Sequence, residues 1–282
     1  MKSPNGARRA CVIGWPVAHS RSPLIHGYWL KHYGISGSYG REAVASEDLA
    51  GFLGQLSSLG YVGCNVTLPH KEAAFGLVQV EDPTTRQIEA VNTIYVDGDR
   101  LIGFNSDAYG FLSHLRSVLP DWRAQGANAV VLGAGGAARA IIAGLLSQGV
   151  GHIAIANRTE ARGAAVSRHF GARVSTLDWS LLARHLATCH LLVNTTQLGM
   201  AGQPALDIDL DGLPGDAVVA DIVYVPLETD LLRSARVRGH RVVDGLGMLL
   251  HQAVPGFEAW FGTRPEVTPR LRALVEADLA GR

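Results

Sequence analysis

Four short polar clusters near the start of the chain hold residue types that can grip and protonate an oxygen-rich ligand. They are His19-Ser20-Arg21-Ser22-Pro23, Asn65-Val66-Thr67-Leu68-Pro69-His70-Lys71, Val91-Asn92-Thr93 and Asn105-Ser106-Asp107. Each adjoins an apolar run of strand character. In open α/β sheets, ligands collect outside the carboxyl ends of the strands. Hydroxyls, amides, one lysine and one aspartate gathered there suit a small polyhydroxylated acid. Singly, each cluster has a plainer role: serine before proline caps a helix, Asn-Ser-Asp turns the chain, and a lysine in a first helical turn is solvated. Their grouping is what argues for a pocket.

A second signal lies at 129–140. An apolar run ends in Gly133-Ala134-Gly135-Gly136-Ala137-Ala138 and passes into an alanine-rich helical pattern. This is the strand–turn–helix opening of a dinucleotide-binding unit in its G-x-G-x-x-A form. Gly133 allows the tight turn, Gly135 lets the backbone approach a pyrophosphate, and small Ala138 lets the helix pack close to the strand. The free N–H groups of the helix start then face the phosphates. The next apolar run, 152–156, ends at Asn157-Arg158-Thr159. An acid at that place would hold the ribose hydroxyls of NAD, but a carboxylate repels a 2′-phosphate, whereas a guanidinium binds it bidentately. With Arg162 one helical turn on, the pattern indicates NADP. Away from a glycine turn, the same arginines would be solvated surface charges.

Several elements must position these groups. Strands are expected at 10–14, 38–43 and 61–66, with helices at 22–33, at 46–58 with Ser46 as its cap, and from Pro69. A hairpin is expected over 91–96 and 100–103 around Asp97-Gly98-Asp99. A helix at 108–119 leads to the glycine turn and a helix at 137–148. Beyond Thr159 the alternation continues, with strands at 191–194, 217–224 and 241–243, a loop at 198–214, and helices at 246–261 and 268–279. Such alternation implies mostly parallel sheets covered by helices. The expected fold is α/β: a first α/β domain at 1–107, a Rossmann nucleotide domain at 108–245, and C-terminal helices at 246–282 that return to the first domain.

The 282 residues suffice for two cores. Lys plus Arg equals Asp plus Glu at 25 each, which argues against a nucleic-acid footprint or a polybasic membrane surface. No apolar run is long enough to span a membrane. Lys2, Arg8 and Arg9 precede a segment too short and interrupted for a signal peptide. Cys11, Cys64 and Cys189 form no C-x-x-C pair, so neither a disulfide framework nor a zinc site is expected, and the thiols suit a cytoplasmic protein. No H-E-x-x-H occurs, and His19 and His70 are read as scaffold. Trp15, Tyr28, Trp29, Trp260 and Phe261 are read as packing residues.

The ordered motifs resemble the shikimate dehydrogenase family over nearly the whole chain. Gly14-x-Pro16-x-x-His19-Ser20-x-Ser22-Pro23-x-x-His26 is similar to its opening motif. Asn65-Val66-Thr67-x-Pro69-His70-Lys71 is similar to its lysine motif, and Ala90-Val91-Asn92-Thr93 to its asparagine motif. Asp221-Ile222-Val223-Tyr224-x-Pro226 and Asp244-Gly245-Leu246-Gly247-Met248-Leu249-x-x-Gln252 follow near the end. The resemblance implies two α/β domains with a cleft between them, the first for substrate. It implies that Ser20 and Ser22 bind a carboxylate, that Thr67, Asn92, Asp107 and Gln252 hold ring hydroxyls with Tyr224 close by, and that Lys71 and Asp107 are the catalytic pair. It adds Gly136, Ala137, Asn157, Thr159, Thr195, Gly245 and Met248 to the cofactor contacts. The chain departs from the family at Arg21, usually Leu, at Ser106 and Ala108, usually Thr and Gly, and at Gln197.

The implied activity is an NADP-dependent oxidoreductase interconverting 3-dehydroshikimate and shikimate, in the chorismate pathway of aromatic amino-acid biosynthesis. The implied partners are that small molecule alone, with no nucleic acid, membrane or metal, in a monomer or homodimer. Ser22, where quinate-preferring relatives tend to carry Thr, favours shikimate. Two other readings are a paralogue acting on quinate or aminoshikimate and a sensor that binds shikimate and NADP without turnover.

Overall fold

In the computed structural model, which describes residues 7–281, the chain forms two compact units. Lys2 lies outside the described residues. One unit takes the chain up to Ser106 and again from Leu250 on; the other is Asp107–Leu249.

The first unit is built on a five-stranded sheet of order β2-β1-β3-β4-β5. Its strands are β1 (Arg8–Gly14), β2 (Gly37–Ala43), β3 (Tyr61–Val66), β4 (Thr93–Asp97) and β5 (Arg100–Phe104). β1 runs parallel to β2 and β3, while β4 is antiparallel to both β3 and β5. Four strands therefore share one direction, and the amino end of β4 lies beside the carboxyl ends of β3 and β5. Between them run α1 (Ser22–His32), α2 (Leu49–Gly54), α3 (Lys71–Phe75) and α4 (Pro83–Ile88). Cys11, Ile13, Leu53, Leu56, Cys64 and Ile94 pack in the core on one side. The C-terminal residues join this unit through aromatic groups. The Trp260 indole donates to Ile94 O at 2.8 Å and the Trp29 indole to Glu266 O at 2.9 Å, so both buried rings satisfy their one donor.

The second unit opens with α5 (Asp107–Val118) and carries a six-stranded, all-parallel sheet of order β11-β10-β9-β6-β7-β8. Its strands are β6 (Asn128–Leu132), β7 (His152–Ala156), β8 (Val174–Leu177), β9 (Leu191–Asn194), β10 (Val218–Asp221) and β11 (Arg241–Val243). The intervening helices are α6 (Gly136–Ser147), α7 (Glu160–Phe170), α8 (Leu182–Leu186) and α9 (Asp230–Val237). The order reverses between β6 and β9, the switch point at which doubly wound sheets bind dinucleotides. Its central strands β9 and β10 are buried at every residue, as expected where helices cover both faces. The chain finishes with α10 (Gly245–Phe261) and α11 (Pro269–Ala280). Among the described residues no helix is long and apolar enough to cross a membrane.

Local differences from the sequence expectation have local causes. Ser22 is the first residue of α1 rather than its cap, and Ser20 Oγ accepts from Ser22 N at 3.3 Å instead. Ser46 starts a 3-10 turn, and the helix after it ends at Gly54; two glycines within six residues each weaken a helix by about 1 kcal/mol. Leu68 and Pro69 form a turn closed by His70 N donating to Thr67 O at 3.0 Å, so α3 begins at Lys71. β10 stops at Asp221 because that side chain accepts from Val223 N at 3.0 Å and bends the chain. α4 has no counterpart in the expected elements, although Asp82-Pro83 is a cap followed by a first-turn proline: Asp82 Oδ2 accepts from Thr85 N at 2.7 Å. Trp15 is 56% exposed, not packed.

Candidate active site

In the first unit the polar clusters converge on the carboxyl edge of the sheet because consecutive backbone bonds tie their loops together. Thr67 N donates to Ile13 O at 2.9 Å, Val66 N to Asn92 O at 2.8 Å, and Asn92 N to Phe104 O at 3.2 Å. The loops after β1, β3 and β5 and the one before β4 thus share one edge.

Beneath them lies a buried hydrogen-bond net. Tyr39 OH donates to Asn65 Oδ1 at 2.6 Å, and Asn65 Nδ2 donates to Asn92 O and Thr93 Oγ1, both at 3.1 Å. Thr93 Oγ1 and Ser106 N donate to Asn92 Oδ1, each at 2.9 Å. The Ser106 hydroxyl receives Asn92 Nδ2 at 3.1 Å and reaches Gln252 Oε1 on α10 at 3.4 Å. Leaving one such buried group unpaired costs about 1–3 kcal/mol, so the net holds Asn92 in one rotamer. Asn105 does comparable work: its amide donates to Ala90 O at 2.9 Å, and its N–H to Thr85 Oγ1 at 2.8 Å.

Above the net, Thr67 and Ser20 are half-buried and Ser22 is buried. Lys71, half-buried, is the first residue of α3, and its carbonyl accepts from Val91 N at 2.9 Å. His70 is buried with Nε2 2.7 Å from Val44 O, a structural contact, whereas His19 is exposed. Arg41 donates to Ser20 O from Nε at 3.1 Å and from Nη2 at 2.6 Å. Ser20, Ser22, Thr67, Lys71, Asn92 and Gln252 thus stand on one edge of one unit. Tyr39, Arg41 and Thr85 support them and carry no site signal of their own in the sequence, whereas Asn105 belongs to one of the four polar clusters. Tyr39 and Arg41 share one face of β2 and alternate with small Ser38 and Gly40, a pattern that marks a strand and not a site.

Asp107 and Tyr224 belong to the second unit. Asp107 is buried at the start of α5, directly after Ser106 in the chain, and Tyr224 is half-buried after β10. At the switch point, Gly133 has φ +107°, which side chains rarely adopt, and a Cβ there would stand 2.7 Å from Thr195 Oγ1. Thr195 is itself fixed by N and Oγ1 donating to Leu132 O at 2.9 and 2.6 Å. Gly135 caps α6, and no atom lies within 4 Å of a Cβ built on it or on Gly136. Gly135 is exposed and Gly136 and Ala137 are half-buried, so the start of α6 is accessible, as a phosphate-bearing ligand requires.

A pocket of about 940 Å³ lies at the carboxyl ends of β7, β8 and β9, lined by Asn157, Arg158, Thr159, Arg162, Trp179 and Leu206 among others. Asn157 Nδ2 donates to Thr159 O at 2.8 Å and shapes the turn, leaving the two exposed arginines on its wall. Trp179 and Leu206 carry no signal in the sequence, since the loops that bring them here are irregular. Gly245 and Met248 are buried at the start of α10, where Gly247 N donates to Asp244 Oδ1 at 3.1 Å. Among the described residues no group of His, Cys, Asp or Glu could hold a metal ion.

Residues 12–94 match the shikimate dehydrogenase substrate binding domain, 116–200 the shikimate/quinate 5-dehydrogenase domain, and 245–274 the shikimate 5′-dehydrogenase C-terminal domain. A shikimate dehydrogenase (NADP(+)) of Methylocella silvestris is 57% identical over 273 residues, covering 97% of each chain. The chain belongs to the shikimate dehydrogenase family. Among solved members, shikimate 5-dehydrogenase of Thermus thermophilus in complex with NADP(H) and shikimate is 35% identical with a TM-score of 0.84. The match covers 97% of this chain and 99% of that one. Quinate dehydrogenase of Corynebacterium glutamicum in complex with NAD is 30% identical with a TM-score of 0.89, covering 97% and 100%. The shikimate dehydrogenase fold is thus present over both units.

Proposed function

We propose that this chain is an NADP-dependent shikimate dehydrogenase interconverting 3-dehydroshikimate and shikimate. The observation that carries the reading is the convergence of two serines, a threonine, an asparagine, a glutamine and a lysine at one sheet edge, with a buried net that holds Asn92 and reaches Gln252. A ring with one carboxylate and several hydroxyls matches that donor set. The accessible start of α6 and the two arginines on the pocket after β7 fit a 2′-phosphorylated dinucleotide.

When bound, NADP(H) supplies or takes up the hydride. The protein's task is to balance the charge left on oxygen. As the ketone carbon gains hydride, its oxygen becomes an alkoxide, and the Lys71 ammonium stabilises that charge and gives up one proton, leaving an alcohol. In the reverse direction the neutral amine accepts the proton. Asp107 accepts a hydrogen bond from a substrate hydroxyl. Ser20 and Ser22 hold the carboxylate, and Thr67, Asn92, Gln252 and Tyr224 hold the ring hydroxyls. Gly133, Gly135, Gly136, Ala137 and Thr195 shape the pyrophosphate seat; Asn157, Arg158, Thr159 and Arg162 hold the 2′-phosphate; Gly245 and Met248 contact the cofactor farther along. We place the enzyme in the cytoplasm as a monomer or homodimer, a setting that suits three buried free thiols.

The test is steady-state turnover, read at the nicotinamide absorbance, with shikimate and quinate each paired with NADP and NAD. Shikimate with NADP should give the highest kcat/KM; preference for quinate identifies a paralogue, and binding without turnover identifies a sensor. Lys71→Ala should lower kcat by about 10²–10⁴-fold while KM for NADP holds. An equal loss of NADP affinity refutes the role given to Lys71.

A further inference from the structure

Arg21 stands between the two serines, and its burial is unusual for a guanidinium: it is 8% exposed. Its Nε lies 2.7 Å from Asp278 Oδ2 on α11, and its Nη1 donates to His19 O at 2.5 Å. Arg41 grips the next carbonyl, that of Ser20. Two guanidiniums therefore hold successive carbonyls of the serine turn, one from β2 and one through the C-terminal helix. α11 is itself anchored, with Leu271 and Val275 buried and Thr268 capping its first turn through Leu271 N at 3.2 Å. A planar fork can meet a carboxylate and a carbonyl in two directions at once; an ammonium on a flexible stem holds neither direction fixed.

We propose that the Arg21–Asp278 ion pair is a positioning device that sets the serine turn on α11 and thereby the affinity for the substrate carboxylate. The proposal rests on the shikimate dehydrogenase reading. Arg21 acts through Ser20 and Ser22, and its charge is spent on Asp278 rather than on the ligand. The partner matters as much as the arginine, because removing Asp278 leaves the buried guanidinium uncompensated.

Arg21→Leu and Asp278→Ala, singly and together, are compared with the unsubstituted enzyme by varying shikimate at saturating NADP and the reverse. Asp278 is 31% exposed at its side chain, so its truncation keeps the test open even if Arg21→Leu does not fold. Each single variant should raise KM for shikimate about tenfold, with kcat within about twofold and KM for NADP unchanged. The double variant should be no worse than either single one, since all remove the same pair. Arg21→Lys, which keeps the charge, should recover part of the loss. An unshifted shikimate KM in Asp278→Ala overturns the proposal. So does a lowered one, which would show the freed guanidinium acting directly on the carboxylate, or a parallel loss of NADP affinity. Absence of shikimate turnover in the unsubstituted enzyme overturns the function reading, and the inference with it.

Discussion

His26 gives the first unit an acid sensitivity that can be worked out from its surroundings. The ring is fully buried, stacked on Tyr39 at 4.1 Å, with Phe257 at 5.9 Å, Trp260 at 5.5 Å and Trp29 at 5.7 Å between centroids. Burial among these rings pushes its pKa down from 6.5 to about 3. The unfolded chain takes up a proton near 6.5 and the folded unit does not, so between those values the unfolded state binds more protons. Stability is therefore complete above 6.5 and falls as pH drops toward 3. At about pH 5 the medium is about 1.5 units below the unfolded value, and at about 1.36 kcal/mol per unit the unit is weakened by about 2 kcal/mol relative to about pH 8. That figure requires only that the buried ring stay neutral at the lower pH.

The assay is urea unfolding followed by tryptophan emission across that range, comparing the unsubstituted protein with His26→Phe. Trp29 and Trp260 are buried beside the ring and report locally. Every other residue is the same in both proteins, so the difference between the two curves isolates His26. It should change by about 2 kcal/mol over the range. If His26→Phe fails to fold, His26→Gln serves, since it also lacks the titrating ring. Parallel curves would refute the reasoning.

Three further outcomes are expected. Arg158→Ala should raise KM for NADPH about 10- to 100-fold and that for NADH far less, because one charge-assisted hydrogen bond to the 2′-phosphate is worth about 1.5–3 kcal/mol; equal losses for both cofactors would count against the clamp. Gly133→Ala should destabilise the second unit by about 1–3 kcal/mol and weaken NADP binding, as its φ and the 2.7 Å approach to Thr195 Oγ1 leave no room for a Cβ; wild-type thermal stability would contradict this. Asp221, buried, has its pKa raised from 3.8 to about 6 by desolvation, against lowering bonds from Val223, Thr229 and Asn194. Its folded form keeps a proton that the unfolded form loses, so stability is full below 3.8 and lost as pH rises through about 6, by about 2–3 kcal/mol. Asp221→Asn should flatten that fall, and an unchanged slope would show that the carboxylate is not the cause.

The second unit was the more legible in the sequence because its signals are local. A glycine whose neighbours exclude a Cβ, an apolar run before it and a basic residue at the end of the next strand all act over a few residues. Gly133, the β6 and β7 runs and the following helix accordingly fall within a residue or two of expectation. In the first unit the motifs were visible, but what joins them is not local. Tyr39 reaches Asn65 across β1, and Ser106 meets Gln252 across 146 residues. A hydrogen bond spanning such separations leaves no periodicity. Arg21 shows the same limit: its type stood out, but its partner on α11 could be found only in the fold.

This contrast bears on how the two specificities can change. Asn92 is 2% exposed, and its amide oxygen accepts from Ser106 N and Thr93 Oγ1. Replacing it would leave buried donors unpaired at about 1–3 kcal/mol each, a large share of a marginal stability, besides removing the substrate contact proposed for it. Arg158 is exposed on a pocket wall, where its side chain can be replaced without burying an unpaired group. The same change of ligand preference therefore threatens the fold in one unit and leaves it nearly untouched in the other. Cofactor choice should drift readily by single exposed substitutions such as those at Arg158 or Arg162, whereas substrate choice is confined to residues outside the buried net, with the turn that Arg21 fixes the nearest to hand.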